Sequence, residues 1–274
     1  MKRISNTWNL IKSSFRVLME DKKMLLFPIL SGVCTLLIVA SFFIPVFVMG
    51  YFPFVGDPEQ LSDTAKYISI FLFYFINYFI ILFFNSAAVA YAIDLMRGGS
   101  PTIGAAFGKV QSRLVPLLGW TAIASTVGLI LNTIENQSDK IGRIVIAFLG
   151  LSWTVVSFLV LPILIVEGKG PFTSLKESVK MVKDVWAEQL VGHFSFGLLF
   201  GLILIPIALI SFAIMSMDGL FVWAGLAMLL VAGLAAGILQ WILQSVFMGA
   251  VYLYVREHKV PDSFTLSQIN SAMR

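Results

Sequence analysis

Long apolar runs without a single charged residue divide this chain into segments. Uncharged stretches of 20 or more residues alternate with short clusters of charges, and only 12% of the 274 residues are charged. Soluble domains carry about 25% charged residues, whereas a helix needs ~20 apolar residues to cross a bilayer. Transmembrane β-strands would alternate in polarity over ~10 residues, and the sequence has no such alternation. The pattern therefore predicts an all-α integral membrane protein, in line with a mean hydropathy of +0.91.

Six of these runs have the length and composition of transmembrane helices. The last run is longer than a bilayer requires, so its C-terminal end is expected to project beyond the membrane. Apart from Lys66, Lys140 and Arg143, all of the 19 Lys and Arg residues fall in the terminal segments and the two long linkers. Because basic segments stay in the cytoplasm, both termini are predicted to be cytoplasmic. The runs cover residues 25–50, 67–95, 114–134, 144–166, 190–215 and 220–255.

Amphipathic helices are predicted between the spans, and the clearest covers residues 172–186. A second is predicted at 4–19, and a third begins near residue 103, with Ser100 as its N-cap and Pro101 as its first helical residue. Such helices are expected to lie flat in the membrane interface, with their basic residues among the lipid headgroups. Apolar residues recur at helical spacing on one face of the first two: Phe172, Leu175, Val179, Val182 and Trp186, and Trp8, Ile11, Phe15 and Leu18.

The same sequence pattern follows every even-numbered span. An acid, a base and a proline come in that order after each: Asp94, Arg97 and Pro101; Glu167, Lys169 and Pro171; Glu257, Lys259 and Pro261. This recurrence predicts three parallel repeats, each a cytoplasmic amphipathic helix followed by a transmembrane hairpin. The repeat units cover about 4–95, 101–166 and 171–255 of a single membrane domain, 1–274, in which 256–274 forms a cytoplasmic C-terminal tail.

Polar side chains inside the apolar runs are the first candidate site, because each one is costly in lipid unless it is paired or hydrated. Asn77 and Asn85 lie in the second run, and Gln240 and Gln244 lie in the sixth. The glutamines share a helical face with Gly233 and Gly237, which predicts either a seam packed against a neighbouring helix or the lining of a solute path. Both interpretations remain open at this point.

Charged residues at the ends of the spans form two further candidate sets. Asp94, Glu167 and Glu257 are expected either to gather as a cation site at the cytoplasmic face or to pair locally with neighbouring bases. The other set is predicted to contact the headgroups of anionic membrane lipids by charge and by insertion: Trp8, Lys12, Arg16, Lys176, Lys180 and Lys183.

Catalytic and metal-binding patterns are absent from the sequence. It contains no P-loop, nucleophile elbow, His-Glu-x-x-His or dinucleotide glycine motif. Cys34 is the single cysteine, and His193 and His258 stand alone, so neither a metal site nor a cofactor is predicted. The net charge of +4 is explained by basic residues that flank the spans, rather than by nucleic-acid binding. We therefore do not predict an enzyme; the alternative of an enzyme acting on lipid at the interface would need Asp94, Glu167 or Glu257 in a cleft.

Two stretches carry a family resemblance: FRVLMEDKKMLLFPILSG at 15–32 and PFTSLKESVKMVKDVW at 171–186. They resemble uncharacterised six-span prokaryotic membrane proteins that are classed as domains of unknown function. More distantly, the chain is similar to the membrane domain attached to some glycerophosphodiester phosphodiesterases, although the catalytic barrel of those enzymes is not present. The resemblance implies a prokaryotic plasma membrane and no known activity.

These observations predict a non-enzymatic membrane module that organises lipids, another membrane protein or a second copy of itself. The surfaces that would do so are the basic amphipathic helices and the small-residue seams. The alternative is a permease or channel for a small solute or an ion, with its path lined by Asn77, Asn85, Gln240 and Gln244.

Overall fold

A computed structural model describes residues 2–49, 63–185, 191–217, 219–258 and 264 of the chain. Within these ranges every regular element is helical and no strand occurs. The elements are α1 (Lys2–Glu20), a 3-10 turn (Lys22–Leu25), α2 (Leu26–Met49), α3 (Asp63–Met96), α4 (Ile103–Gln111), α5 (Leu114–Gln137), α6 (Lys140–Ser157), α7 (Val160–Pro162), a π turn (Ile163–Glu167), α8 (Pro171–Val185), α9 (Val191–Met215) and α10 (Leu220–Glu257). The all-α prediction is confirmed for the described residues.

Five stretches of the described residues are long and apolar enough to cross a membrane, which indicates a membrane location. They match five of the six predicted runs, and a shorter apolar stretch, Phe200–Met215, lies within α9, the helix of the remaining run. The five stretches are Lys22–Ile44, Ile68–Met96, Leu114–Gln137, Gly142–Glu167 and Leu220–Glu257.

The longest helix, α10, has two halves with different surroundings. Its N-terminal half exposes large apolar side chains, with Leu220 82% and Leu234 66% exposed. Its C-terminal half is enclosed by protein, since nearly every side chain from Ile242 to Leu253 is buried. At ~1.5 Å per residue, the exposed half is about as long as a bilayer is thick. The first half of α10 is therefore suited to lipid and the second half to contact with protein.

The chain forms two compact units, each with its own packing. The first contains Met1–Leu25, Tyr91–Pro101 and Met181–Arg274. Here α1 packs on α9 and α10, and the 3-10 turn packs on α10. The end of α3 approaches the buried half of α10 so closely that a Cβ at Gly249 would lie 3.1 Å from the side chain of Ile93. A glycine permits this contact between two helices.

The second unit contains Leu26–Ala90 and Thr102–Lys180. In it, α5 pairs with α6, where the rings of Trp120 and Trp153 stack with centroids 5.8 Å apart. The short helix α4 is held by its Phe107 ring, which contacts Phe27 at 5.5 Å and two phenylalanines of α3 at 5.7 Å. Aromatic contacts of this kind fix an element that is too short to be stable alone.

Several predicted boundaries differ from the structure. The predicted N-cap Ser100 is wrong: Thr102 caps α4, because its extended backbone lets Oγ1 accept the Ala105 N–H at 3.1 Å. The fourth run is not one continuous helix, since α6 ends at Ser157 and helix resumes at Val160. Trp186, Lys259 and most of the C-terminal tail lie outside the described residues.

Candidate functional site

Helix α8 turns a different face to the protein from the one that the apolar spacing predicts. Ser174, Ser178, Met181 and Val182 are buried, whereas Phe172, the first residue of the predicted apolar stripe, is 73% exposed. Val182 of the predicted stripe therefore packs on the described residues, and Phe172 does not. Helix spacing alone does not distinguish two neighbouring faces when one of them carries small polar residues that can hydrogen-bond to the partner.

Ser178 explains why this face points inward. Its hydroxyl donates to the backbone oxygen of Val156 at 2.6 Å and accepts the backbone N–H of Leu159 at 3.2 Å. These two groups belong to the break between α6 and α7, where the helical hydrogen-bond ladder is interrupted. Where backbone is removed from water, an interrupted helix is tolerated only when protein supplies the missing hydrogen-bond partners. A fully buried serine on α8 supplies them here.

The linker into α8 is held by a three-residue ion cluster. Lys169 Nζ lies 2.7 Å from Glu167 and 2.5 Å from Glu177 of α8. The hydrogen bond to Glu167 and then that to Glu177 raise the pKa of Lys169 above its usual value. The predicted local pairing of Glu167 is thus present, and Glu177 adds a second carboxylate that ties the linker to the helix.

The predicted apolar face of α1 is only partly covered by protein. Ile11 and Leu18 of that face are buried, whereas Trp8 and Phe15 are 43% and 42% exposed. The buried side chains are Leu10, Ser14, Val17 and Leu18, together with Ile11. The helix packs on α9 and α10 through these residues, so its aromatic side chains face outward.

The two amphipathic helices share one pattern of burial and charge. Buried positions 10, 14, 17 and 18 of α1 correspond in spacing to buried positions 174, 178, 181 and 182 of α8. The exposed bases Lys12 and Arg16 correspond in the same way to Lys176 and Lys180. Each helix therefore docks one face on protein and presents a basic pair, one helical turn apart, on the other.

All five basic members of the candidate headgroup set are exposed: Lys12, Arg16, Lys176, Lys180 and Lys183. The ammonium of Lys12 lies 5.6 Å from the centroid of the Trp8 ring, within the range of a cation–π contact. These outward basic faces are the surfaces of the described residues best suited to bind anionic groups.

The predicted cytoplasmic-face acids are divided between the two units. In the first unit, Arg97 hydrogen-bonds Glu257 and its Nη1 lies 3.9 Å from Asp94, so one guanidinium joins the ends of α3 and α10. Glu167 belongs to the second unit and its ion cluster. Across the described ranges, no group of three or more His, Cys, Asp or Glu residues is placed to hold a metal ion.

A second polar contact fixes the end of α1. Tyr91 of α3 is fully buried and donates its hydroxyl to Asp21, whose other carboxylate oxygen accepts the Lys23 N–H at 3.0 Å. The Tyr91 hydrogen bond holds the pKa of Asp21 below its usual value, and the Lys23 N–H acts in the same direction while partial burial opposes it. This contact sets where α1 ends and the first apolar run begins.

Replacing Tyr91 with phenylalanine is expected to lower the free energy of unfolding at neutral pH by about 1 kcal/mol, less than the ~1.5–3 kcal/mol typical of a hydrogen bond to a charged group, because Asp21 is partly exposed. Since the pKa of Asp21 is lowered by folding, this contribution is complete above the ordinary carboxyl pKa of about 3.9 and disappears as the pH falls through the lowered value. Unfolding of both proteins measured from pH 7 downward should show the difference vanish. A difference of the same size at acid pH, or in an Asp21→Ala background that removes the acceptor, would argue against this assignment.

The predicted polar intramembrane face is also divided between the units, Asn77 and Asn85 in the second and Gln240 and Gln244 in the first. All four are half-buried. Asn77 Nδ2 donates to the Phe73 oxygen of its own helix at 2.8 Å, and its Oδ1 is buried without a hydrogen-bond partner among the described residues. The Gln240 amide lies 3.6 Å from where a Cβ of Gly197 would stand.

The residues that sequence reasoning missed are serines and a tyrosine with distant partners. Ser174 and Ser178 are four residues apart and opposite the lysines of α8, a spacing typical of close helix contacts. That signal was available in the sequence, but it competed with the larger apolar residues beside it. Nothing local to Tyr91 or Asp21 indicates that they meet, since 70 residues separate them.

The fold indicates the class of α-helical membrane proteins: five stretches are long and apolar enough to cross a membrane, and the amphipathic helices α1 and α8 pack on apolar helices. A scan against protein families matches residues 64–261 to the family of unknown function DUF6159, and the chain belongs to that family. Searches of curated proteins and of solved structures find no match. The resemblance to a family of unknown function is thus confirmed, and nothing in these comparisons links the chain to glycerophosphodiester phosphodiesterases.

Proposed function

We propose that this chain is a six-span membrane module built from three parallel repeats, in which a surface helix precedes each hairpin. The backbone supports the repeat: a left-handed residue follows each even-numbered span within two positions, with φ of +80° at Gly98, +69° at Gly168 and +53° at His258. Gly219, between α9 and α10, has a positive φ as well. Left-handed residues commonly end helices and satisfy their last carbonyls. The matching patterns of α1 and α8 support it independently.

The proposed setting is a prokaryotic plasma membrane with both termini and the surface helices on the cytoplasmic side. The bias of Lys and Arg toward one set of segments supports this orientation. The lengths of the second and sixth spans support the same orientation. Helices α3 and α10, which contain these spans, are longer than the ~20 residues that a bilayer requires, and both end at basic segments.

The proposed role is to organise anionic lipids, or a partner membrane protein, at the cytoplasmic surface without catalysis. The exposed lysine row of α8 is the observation that carries this proposal. Lys176, Lys180 and Lys183 stand one turn apart on the side of the helix opposite its buried serines. Basic residues near an anionic membrane each contribute about 1 kcal/mol to binding, so a fixed row of three favours phosphate-bearing headgroups.

Neutralising this row tests the role. We expect the triple variant Lys176→Gln, Lys180→Gln and Lys183→Gln to reduce the enrichment of phosphatidylglycerol around the purified full chain on the order of a hundredfold, because each lost charge weakens binding by about 1 kcal/mol. Native mass spectrometry of bound lipids would measure it. The matched control, Lys140→Gln with Arg143→Gln, removes bases from the other predicted side and should leave the enrichment unchanged. Equal enrichment in all three proteins would contradict a lipid-organising role for α8.

A permease or channel is the alternative function, and the buried Oδ1 of Asn77 favours it. A carbonyl oxygen without a partner among the described residues is satisfied by water if a wet path reaches it. Labelling by a membrane-impermeant thiol reagent of single cysteines placed at Asn85, Gln240 and Gln244, in a Cys34→Ala background, would support that path. Protection of all three, with a cysteine at Lys180 labelled, would count against it.

A further inference from the structure

The outward face of α1 carries large apolar side chains. A helix that only docks on protein would carry polar side chains on that face. Trp8, Phe15 and Met19 are 43%, 42% and 50% exposed and follow one another at helical spacing along this face. Lys12 and Arg16 stand between them and are exposed as well. The opposite face, with Leu10, Ser14, Val17 and Leu18, is buried. Helix α1 therefore has two apolar faces, and only one of them is covered by the described residues.

The corresponding face of α8 is more basic than that of α1. Where α1 has Lys12, Arg16 and Met19, α8 has Lys176, Lys180 and Lys183, all of them exposed. Phe172 of α8 lies one turn before Lys176 on the same face, is 73% exposed, and corresponds in spacing to Trp8; the two faces therefore differ toward their C-terminal ends, where α1 has Phe15 and Met19. The two helices thus share a docking face, but one presents alternating apolar and basic groups outward and the other a row of lysines.

The connection from α1 to the first apolar stretch keeps the end of α1 close to the start of that stretch. The helix ends at Glu20, and the apolar stretch Lys22–Ile44 begins two residues later. At ~1.5 Å per residue, Met19 lies within a few ångströms of the start of that stretch, and Trp8 lies about three turns further along the helix. A helix joined this tightly to an apolar run stays at the membrane surface. Its outward Trp, Phe and Met with Lys and Arg between them match the composition of interfacial helices.

We infer that α1 inserts this outward face, Trp8, Phe15 and Met19, into the headgroup–acyl boundary of an anionic bilayer, while the lysine row of α8, Lys176, Lys180 and Lys183, stays among the headgroups. Lys12 and Arg16 then reach the phosphates, and the three apolar side chains enter the acyl edge. The charge of the two basic residues favours an anionic lipid surface over a neutral protein surface as the occupant. This inference rests on the proposed function and specifies which helix enters the lipid.

Depth-dependent fluorescence quenching distinguishes the two helices at corresponding positions. In a Cys34→Ala background, single cysteines are introduced as Met19→Cys and, as the matched control, Lys183→Cys, and each is labelled with an environment-sensitive dye. The full chain is reconstituted in vesicles of phosphatidylcholine and phosphatidylglycerol. Quenching by lipids with doxyl groups on their acyl chains is expected to be several-fold stronger at position 19 than at 183. Quenching by aqueous iodide is expected in the reverse order.

Each other outcome overturns the inference. Strong iodide quenching at both positions would place the α1 face in water. Protection of position 19 from both quenchers would mean that a protein, either a partner or a second copy of this chain, covers it. A Phe15→Cys label provides a second reading from the same face in case the label at Met19 disturbs the packing of α1.

Failure of the inference can be distinguished from failure of the proposed function. If anionic lipids are not enriched around the protein but α1 still inserts, acyl-chain quenching at position 19 will persist in vesicles of phosphatidylcholine alone. If the lipids are enriched through α8 but α1 does not insert, the phosphatidylglycerol enrichment will depend on Lys176, Lys180 and Lys183 while position 19 remains accessible to iodide.

Discussion

Replacing Gly225 with alanine is expected to destabilise the protein by about 1–3 kcal/mol, the usual cost of overpacking. In the first unit, α9 and α10 meet so closely here that a Cβ at this position would lie 2.6 Å from the backbone oxygen of Ser211 and 2.5 Å from Cγ of Met215. The methionine side chain can rotate away, but the carbonyl oxygen belongs to helix α9 and moves only with it. The helices must therefore separate, which removes contacts along their interface.

Gly233 on the same helix provides the matched control. A Cβ there would meet no described atom within 4 Å, so Gly233→Ala is expected to be neutral or to stabilise the helix by up to about 1 kcal/mol. Both variants can be compared by unfolding in mixed micelles with increasing dodecyl sulfate. If the two substitutions have the same effect, the close contact at Gly225 is not what holds α9 and α10 together.

This contrast also bears on the predicted small-residue seam of the sixth run. The seam was expected at Gly233 and Gly237, but both are exposed, and a Cβ at either would meet no described atom within 4 Å. The packed glycines of α10 are Gly225 near its start and Gly249 in its buried half. Glycine spacing indicates where a helix can be approached closely, and only the neighbouring helix determines where that approach occurs.

Replacing Ser178 with alanine is the second change with a large expected effect, a loss of about 1–3 kcal/mol. The variant leaves the Leu159 N–H and the Val156 oxygen at the α6–α7 break without their hydroxyl partner. Both groups lie beside a fully buried side chain, so water does not replace the lost bonds readily. An unsatisfied polar group in such a place costs its full desolvation penalty.

Ser174→Ala is the control for this prediction. Ser174 is equally buried on the same face of α8, but its hydroxyl makes a single long contact of 3.4 Å with the Lys169 oxygen. Its loss is expected to cost well under 1 kcal/mol. Unfolding in mixed micelles, together with the rate at which protease cuts α8, would separate the two variants. Comparable stability of both would mean that the break does not depend on Ser178.

The positions of the apolar helices could be predicted from the sequence because length and hydropathy are local properties. The runs predicted at 25–50 and 220–255 correspond to helices Leu26–Met49 and Leu220–Glu257. Ion pairs between near neighbours could be predicted for the same reason, as with Asp94 and Arg97 three residues apart. Six spans, the repeat and the orientation of the termini stay predictions, with the support given above.

The orientation of each amphipathic helix was decided by tertiary structure. Periodicity shows that α8 has an apolar stripe, but Ser178 turns inward because a broken helix elsewhere in the fold has backbone groups to satisfy. Likewise, the sequence places Asp21 in a polar break between two helices. That it pairs with Tyr91 of α3 is determined by the fold. By itself, the sequence determined which segments are apolar, helical and basic, because these properties depend on neighbouring residues. Which face packs and which polar groups pair was decided by the fold, because those contacts join residues far apart in the chain.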